Sequence, residues 1–280
     1  MKKIIIITML INMFMISDIF SQMSSFQIKT ASEYVKESNY VIDIVLPQDY
    51  DSTRQYPIVY CVDYWLGSNF APGILYCLNF SQALNPIIVV GIGNEGSYND
   101  WLMERTRDLT PSHVPEWDQS DSHSIGTRGV TGGAENFLLF IKNELIPLVE
   151  SRYSADTTNR GYFGYSLGGL FGAYAIINEP HVFQKYFLGS PSIQYDDFAL
   201  LDSLYNMPSE ELKSIRSIYI TVGEKESGDM LKGFANLRYC LETKNIPSLD
   251  MNSQIIYDEN HTSAAMPAYY KAFKYLYGTH

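Results

Sequence analysis

The most constraining feature of the sequence is the pentapeptide Gly164-Tyr165-Ser166-Leu167-Gly168, which joins an apolar run to a helix-forming run. The Gly-x-Ser-x-Gly pattern is typical of a sharp turn from a strand into a helix, with the serine at its tip. Glycines on both sides let the strand and the helix approach closely. The first amides of such a helix can bind a developing negative charge. The pattern predicts a nucleophile, Ser166, with Leu167 N–H as one oxyanion donor; the alternative is a polar residue in a glycine-rich turn.

The runs that precede this turn indicate a mostly parallel sheet. Residues 58–62 and 87–92 are nearly continuous apolar runs, which is typical of strands covered on both faces. Residues 25–30 and 40–46 alternate apolar and polar side chains, as half-buried antiparallel strands do. Two antiparallel strands followed by repeated strand–helix units predict the α/β class and the α/β-hydrolase fold, with helices on both faces of the sheet.

The remaining pattern predicts alternating strands and helices around one long insertion. Further strands are expected at 186–190, 218–223 and 254–257, and helices at 75–84, 135–153 with a kink at Pro147, 229–243 and 263–277. Residues 93–133 are rich in Gly, Ser, Asp, Asn and His. An insertion of this length after a central strand is usually functional or disordered.

The size and the amino terminus favour one exported domain. A 280-residue chain with 46% hydrophobic residues can bury one large core, and we assign a single domain to 22–280. Residues 1–21 have a basic start and a short apolar stretch, which predicts a cleaved signal peptide and a secreted or periplasmic protein. No later apolar run has the length of a membrane span. The net charge of −11 makes nucleic acid and anionic membranes poor partners.

The three cysteines lack the spacing of a zinc site or a disulfide framework. Cys61, Cys77 and Cys240 are expected to be buried free thiols, with one disulfide as the alternative. No metal or organic cofactor is expected.

The position of a histidine near the carboxyl terminus predicts the general base. A serine hydroxyl needs a base to take its proton. Among five histidines, His261 alone follows the last predicted strand and precedes the final helix, where chains ordered serine, acid, histidine place the base. The acid that orients it is expected after the preceding strand, at Glu226 first and Glu224 second. Asp258 is a third candidate, and a serine–histidine dyad without an acid is the remaining alternative.

A second oxyanion donor is expected from the backbone that follows the strand at 58–62. The N–H of Trp65 is the candidate, opposite Leu167 N–H.

Several segments together resemble the esterase branch of the α/β hydrolases, which includes siderophore esterases, feruloyl and acetyl-xylan esterases, S-formylglutathione hydrolases and mycolyltransferases. The matching segments are Tyr-Pro-Ile-Val-Tyr-Cys-Val-Asp at 56–63, Val-Gly-Ile-Gly at 90–93, Arg-Thr-Arg-Asp-Leu-Thr-Pro at 105–111, the serine turn, and Ser-Pro-Ser at 190–192. The Arg-x-Arg-Asp segment and the Gly-Glu-Lys-Glu turn are most similar to the siderophore-esterase subgroup. The chain departs from the family at Tyr64-Trp65, where the family commonly has glycine after the aspartate, and at Tyr165, where it commonly has histidine.

The resemblance implies a serine carboxylester hydrolase that acts on esters of small aromatic, siderophore or carbohydrate-linked acyl groups. An inactive binding module on the same fold and an acyltransferase to a sugar are the alternatives. Arg105, Arg107 and Tyr165 are candidate substrate contacts, since an arginine could hold an aromatic or anionic acyl group by stacking and charge. The alternative for the two arginines is a structural ion pair with Asp108 and neighbouring carboxylates.

Overall fold

Eight strands form one sheet in the computed structural model, which describes residues 25–63, 67–118, 130–246 and 248–279. The strand order across the sheet is β1-β2-β4-β3-β5-β6-β7-β8. The strands are β1 (Ser25–Ala31), β2 (Asn39–Val45), β3 (Tyr56–Cys61), β4 (Ile88–Asn94), β5 (Ala155–Tyr165), β6 (Lys185–Gly189), β7 (Ser217–Gly223) and β8 (Asp250–Ile256).

Strand direction follows the burial pattern of the sequence. β1 pairs antiparallel with β2, and β2 pairs antiparallel with β4, whereas the six strands from β4 to β8 run parallel. The buried faces of β3 and β4 carry continuous apolar residues, as strands covered on both sides require. The predicted mostly parallel sheet with antiparallel first strands is confirmed, and the expected strands are all present within a few residues.

Helices cover both faces of the sheet. They are α1 (Gly67–Phe80), α2 (Tyr98–Asp108), α3 (Pro115–Asp118), α4 (Ala134–Phe140), α5 (Ile146–Glu150), α6 (Leu167–Asn178), α7 (Ala199–Asn206), α8 (Gly228–Thr243) and α9 (Ala265–Tyr277). Helices α1 and α9 pack on the face that carries Phe163 and Phe187. Helices α4, α6 and α8 pack on the opposite face, which carries Tyr162 and Leu188. Neighbouring residues of one strand therefore belong to two separate cores.

The insertion at 93–133 contains more regular structure than its composition predicts. Helix α2 lies within it, and Ser97 caps this helix through a reciprocal capping box with Asp100. Such a box satisfies amides at the helix start and stabilises a helix that is otherwise polar. Helix α3 also lies in the insertion, and residues 119–129 lie outside the described part of the chain.

The predicted kink at Pro147 takes the form of a wider helical turn. A π-helical turn at Ile141–Leu145 joins α4 to α5, and Pro147 lies at the start of α5. Proline lacks an N–H and its ring crowds the preceding turn, so the helix accommodates it by widening locally.

No helix in the described ranges is long and apolar enough to cross a bilayer.

Candidate active site

The serine turn has the strained backbone that its sequence predicts. β5 ends at Tyr165, α6 begins at Leu167, and Ser166 between them has φ 60° and ψ −118°. A Cβ at position 164 would lie 2.3 Å from the carbonyl oxygen of Gly168, so only glycine fits there. This close crossing of strand and helix lifts the Ser166 hydroxyl to the carboxyl edge of the sheet.

The His261 ring lies directly against this hydroxyl. His261 follows β8, and its Nε2 is 2.9 Å from Ser166 Oγ. Its Nδ1 is 2.7 Å from Oε2 of Glu226. A carboxylate can only accept, so Nδ1 carries the proton and Nε2 is left to accept from the serine. This tautomer is the one that a base for Ser166 needs.

Glu226 is held as a buried carboxylate. It follows β7, and its side chain is 0% exposed. Its Oε1 accepts from Gly223 N at 2.8 Å and from Ser190 Oγ at 2.5 Å. Burial alone would raise the pKa of Glu226, but the hydrogen bonds from His261, Ser190 and Gly223 outweigh it and hold the pKa below its ordinary value. The carboxylate is therefore charged at neutral pH.

The other two candidate acids point elsewhere. Glu224 accepts from the backbone N–H of Asp258 at 2.8 Å. The Asp258 side chain is 87% exposed and pairs with Lys225. Of the three carboxylates, the structure brings Glu226 to His261.

The structure describes one of the two predicted oxyanion donors. Leu167 opens α6 directly after Ser166, and the first N–H groups of a helix have no intrahelical acceptor. Its amide belongs to the residue next to Ser166 and has no acceptor within the helix. Trp65 lies outside the described residues.

Arg105 binds Asp63, which follows β3 and precedes Trp65 by two residues in the sequence. Its Nε and Nη2 bind the two oxygens of Asp63 at 2.5 and 2.7 Å. The arginine side chain is 5% exposed, and its guanidinium carbon lies 5.4 Å from the ring centroid of Trp101. Burial works against the charge, but Asp63 outweighs it and raises the pKa of Arg105. This placement corresponds to the structural ion pair, although the partner is Asp63 rather than Asp108.

Arg107 is the more accessible of the two arginines. Its Nε donates to Asp108 Oδ1 at 2.7 Å, and its side chain is 29% exposed. Asp108 is buried and also accepts from the hydroxyl of Tyr40. The expected pairing of an arginine with Asp108 is therefore present at Arg107.

A family model described as "Putative esterase" matches residues 32–264. The chain belongs to this esterase family. Its fold is that of the α/β hydrolases, as the likeness to solved structures shows. The chain covers 96% of the BES protein from Bacillus cereus, with 90% of its own length, a TM-score of 0.74 and 27% identity. It covers 96% of the enterobactin hydrolase IroE in complex with DFP, with 91% of its own length, a TM-score of 0.72 and 21% identity.

Two curated relatives are named as esterases. The ferri-bacillibactin esterase BesA of Bacillus subtilis (strain 168) is 34% identical over 50% of this chain and 48% of its own length. The apo-salmochelin esterase of Escherichia coli O6:H1 is 31% identical over 41% of this chain and 36% of its own length. The chain therefore spans half or less of the length of these two relatives.

Tyr165 and Ser190 make hydrogen bonds next to the site that the sequence did not predict. Tyr165 is 1% exposed, and its hydroxyl donates to the backbone carbonyl of His261 at 2.6 Å, so it faces the base loop, the residues around His261 after β8, rather than the open side of the site. Ser190 is fully buried against Glu226. The Ser-Pro-Ser segment was part of the resemblance, but its spacing alone gave no role to Ser190.

The segment after β6 is strained and borders Ser166. Ser190 has φ 38°, and the three residues Asp196, Asp197 and Phe198 have φ 51°, 49° and 65°. Ser192 Oγ lies 3.3 Å from Ser166 Oγ. Positive φ in residues other than glycine costs free energy and is concentrated at functional sites.

A cavity of about 230 Å³ lies beside this segment and along α6. Ser166, His261 and Glu226 do not line it. Its walls are formed by Pro111, Ser112, Leu170, Tyr174, Ile177, Asn178, Tyr195, Asp196, Ala199, Leu200 and Ser203.

The described ranges contain no group of three or more His, Cys, Asp or Glu side chains arranged to hold a metal ion. All three cysteines are free; Cys61 and Cys240 are buried, and Cys77 is exposed, which corrects its expected burial. Helix α1 buries one stripe of residues against the sheet, and Cys77 lies on the side of this helix that faces solvent.

Proposed function

We propose that the protein is a serine carboxylester hydrolase. The observation that carries this proposal is the hydrogen-bond order Ser166 Oγ, His261 Nε2, His261 Nδ1, Glu226 Oε2, at 2.9 and 2.7 Å. A neutral imidazole in this tautomer can accept the serine proton, and a buried carboxylate can stabilise the imidazolium that forms. Each group lies within the distance that a proton transfer needs.

The reaction follows from these positions. Ser166 Oγ attacks the ester carbonyl carbon while its proton passes to His261 Nε2. Leu167 N–H, with the backbone N–H of Trp65 as its proposed partner, stabilises the oxyanion of the tetrahedral intermediate. The intermediate collapses as the imidazolium donates its proton to the leaving alkoxide, and an acyl-enzyme remains. Water, deprotonated by His261, then attacks the acyl-enzyme; the acid product leaves and Ser166 regains its proton.

We infer that the substrate is a siderophore ester. The curated relatives are named esterases of ferri-bacillibactin and apo-salmochelin, and the Gly-Glu-Lys-Glu turn that provides Glu226 belongs to the same resemblance. A panel of a catecholate trilactone, methyl ferulate, acetylated xylan and p-nitrophenyl acetate tests this inference. The trilactone should have the highest kcat/KM, and a preference for acetylated xylan would favour a carbohydrate esterase instead.

We infer that the protein is exported, because residues 1–21 combine a basic start with a short apolar stretch. Amino-terminal sequencing of the protein from the native cell should find a start near residue 22. A chain that begins at Met1 would contradict export by a cleaved signal.

The decisive experiment compares the protein with two variants by fluorophosphonate labelling and ester turnover. Ser166→Ala should remain folded, fail to label and lose at least about 10⁴-fold in kcat. His261→Ala should lose about as much, because groups that act as a unit are not additive. His113→Ala is the matched control, since His113 is exposed and pairs with Asp118. An unlabelled wild-type protein would identify a binding module, and a Ser166→Ala variant that keeps a tenth of the rate would exclude Ser166 as nucleophile.

A further inference from the structure

Two buried hydroxyl groups connect the acid and the base behind the site. Ser190 Oγ lies 2.5 Å from Oε1 of Glu226 and 2.8 Å from the hydroxyl oxygen of Tyr165. The Tyr165 hydroxyl lies 2.6 Å from the backbone carbonyl oxygen of His261. Together with the bond between His261 Nδ1 and Glu226 Oε2, these contacts close a ring through four residues.

The proton count within the ring assigns each donor. The carbonyl oxygen of His261 has no proton, so the hydroxyl of Tyr165 donates to it. Burial raises the pKa of Tyr165, which keeps this hydroxyl protonated. Ser190 has one proton for two neighbours, and a charged carboxylate is a stronger acceptor than a phenol oxygen. Ser190 therefore donates mainly to Glu226, at 2.5 Å, and the same proton makes a weaker second branch to the Tyr165 oxygen, at 2.8 Å.

We propose that Ser190 and Tyr165 are positioning residues for the hydrolysis proposed above, on which this inference rests. Ser190 fixes Oε1 of Glu226 so that Oε2 faces His261 Nδ1. Tyr165 fixes the backbone of His261 so that Nε2 faces Ser166. Because Tyr165 also precedes the nucleophile, one residue sets the spacing between the serine turn and the base loop.

The two residues act on different properties of the site. The bond from Ser190 is one of those that hold the pKa of Glu226 low, so its loss makes the carboxylate more basic. The bond from Tyr165 touches no titrating atom of the acid or the base, so its loss changes geometry alone. The titratable groups that face Glu226 are His261 and Tyr165, and Tyr269 packs beside Tyr165 at a ring distance of 6.4 Å.

Removal of each hydroxyl should therefore leave a different kinetic signature. Ser190→Gly should lower kcat about tenfold and move the acid limb of the kcat/KM profile to higher pH by about half a unit. Glycine suits φ 38°, so this variant keeps the fold even if Ser190→Ala does not. Tyr165→Phe should lower kcat about tenfold, with KM and the acid limb unchanged.

Tyr186→Phe is the matched control. Tyr186 is a buried tyrosine on the next strand, and its hydroxyl has no hydrogen-bond partner among the described residues. It should keep the wild-type kcat and pH profile. Ser190→Gly with an unmoved acid limb, or Tyr165→Phe with the same kcat as Tyr186→Phe, would overturn the proposal.

A second readout separates this inference from the proposed function. The proton shared by His261 Nδ1 and Glu226 gives a far-downfield ¹H NMR signal that does not depend on turnover. The signal should shift in Ser190→Gly and stay in place in Tyr186→Phe. If the wild-type protein hydrolyses no ester but this shift is observed, the proposed function fails and the positioning role stands; if the signal is the same in all variants, the positioning role fails.

Discussion

The two sides of Ser166 are held in place by different kinds of interaction. On the side of β6 to β8, Glu226 and His261 are held by hydrogen bonds from Ser190, Gly223 and Tyr165. On the side of β3, Asp63 is held by a buried, bidentate ion pair with Arg105. In the proposed mechanism protons move on the first side, whereas on the second side the ion pair holds Asp63 in place. Substitutions on the first side should therefore lower kcat more than they lower the free energy of unfolding. Substitutions on the second side should lower the free energy of unfolding more than they lower kcat.

The largest effect is expected from the acid on the proton-transfer side. Glu226→Gln should lower kcat by about 10²–10⁴-fold, because an amide can present its N–H to His261 and favour the wrong tautomer. Glu224→Gln is the matched control two residues away in the same turn, where the carboxylate accepts from the Asp258 amide. Steady-state kinetics with p-nitrophenyl acetate measures both. A larger loss for Glu224→Gln would show that the acid is misassigned, and two near-wild-type variants would indicate a dyad.

The ion-pair side should show the opposite balance. Arg105→Ala should destabilise the protein by about 3–5 kcal/mol, because it leaves Asp63 charged and buried without its partner. Thermal unfolding should show a lower Tm, and kcat should fall on every ester because Asp63 leads into the segment that holds Trp65.

The control for Arg105 is a second arginine pair far from the site. Arg160, in the middle of β5, binds both oxygens of Glu150 at 2.6 and 2.8 Å. Arg160→Ala should lower Tm with kcat unchanged. A selective loss of a catecholate ester in Arg105→Ala, at wild-type Tm, would instead favour a substrate contact.

Arg107 tests whether the ion-pair side also touches substrate. Arg107→Ala should raise KM for a catecholate ester about threefold to tenfold, because a partly exposed charge contributes about 1 kcal/mol. The KM for p-nitrophenyl acetate, which carries no second aromatic or anionic group to hold, should stay the same. Arg238→Ala, at an exposed arginine paired with Glu242 on α8, provides the control. Equal changes on both esters would assign Arg107 to structure alone.

The smallest effect concerns a half-buried acid on α2. Burial raises the pKa of Glu104 to about 7, with Arg107 opposing the rise and Asp108 adding to it. The folded state thus binds this proton more tightly than the unfolded state, so its stabilising contribution is present at low pH and is lost as pH rises through about 7.

Glu104→Gln removes that dependence. At pH 8 the free energy of unfolding of the variant should exceed that of wild type by on the order of 1 kcal/mol after screening by solvent, and its Tm should be higher. At pH 5 the two proteins should have similar Tm values. Calorimetry at the two pH values measures the difference. A variant that is less stable at pH 8 would show that the charged carboxylate is stabilised instead.

The sequence predicted what depends on local pattern. The serine turn, the parallel strands and the places of His261 and Glu226 follow from glycine spacing, apolar runs and the order of elements. Helix α2 was missed because it is polar, and its signal was the capping pair Ser97 and Asp100 rather than an apolar stripe. The partner of Arg105 could not be predicted, since Asp63 lies 42 residues away along the chain.

The same limit explains why Ser190 and Tyr165 were not assigned to the acid and base. Their bonds join residues 25, 36 and 96 positions apart, and no spacing rule relates such positions. By sequence, Tyr165 is a candidate substrate contact at the position where the family commonly has histidine. Tyr165 is buried because β5 lies in the middle of the sheet and α9 packs over it through Tyr269.

The bond between Ser166 and His261 also has a consequence for folding kinetics. It joins residues 95 positions apart, and β6, β7 and β8 lie between them in the sequence. Closing a loop of that length costs conformational entropy before any contact repays it, so such contacts form late. During refolding, the helical signal in circular dichroism should therefore recover first. Labelling of Ser166 by a fluorophosphonate should return only when β8 has joined the sheet, so the label would report the last step of assembly.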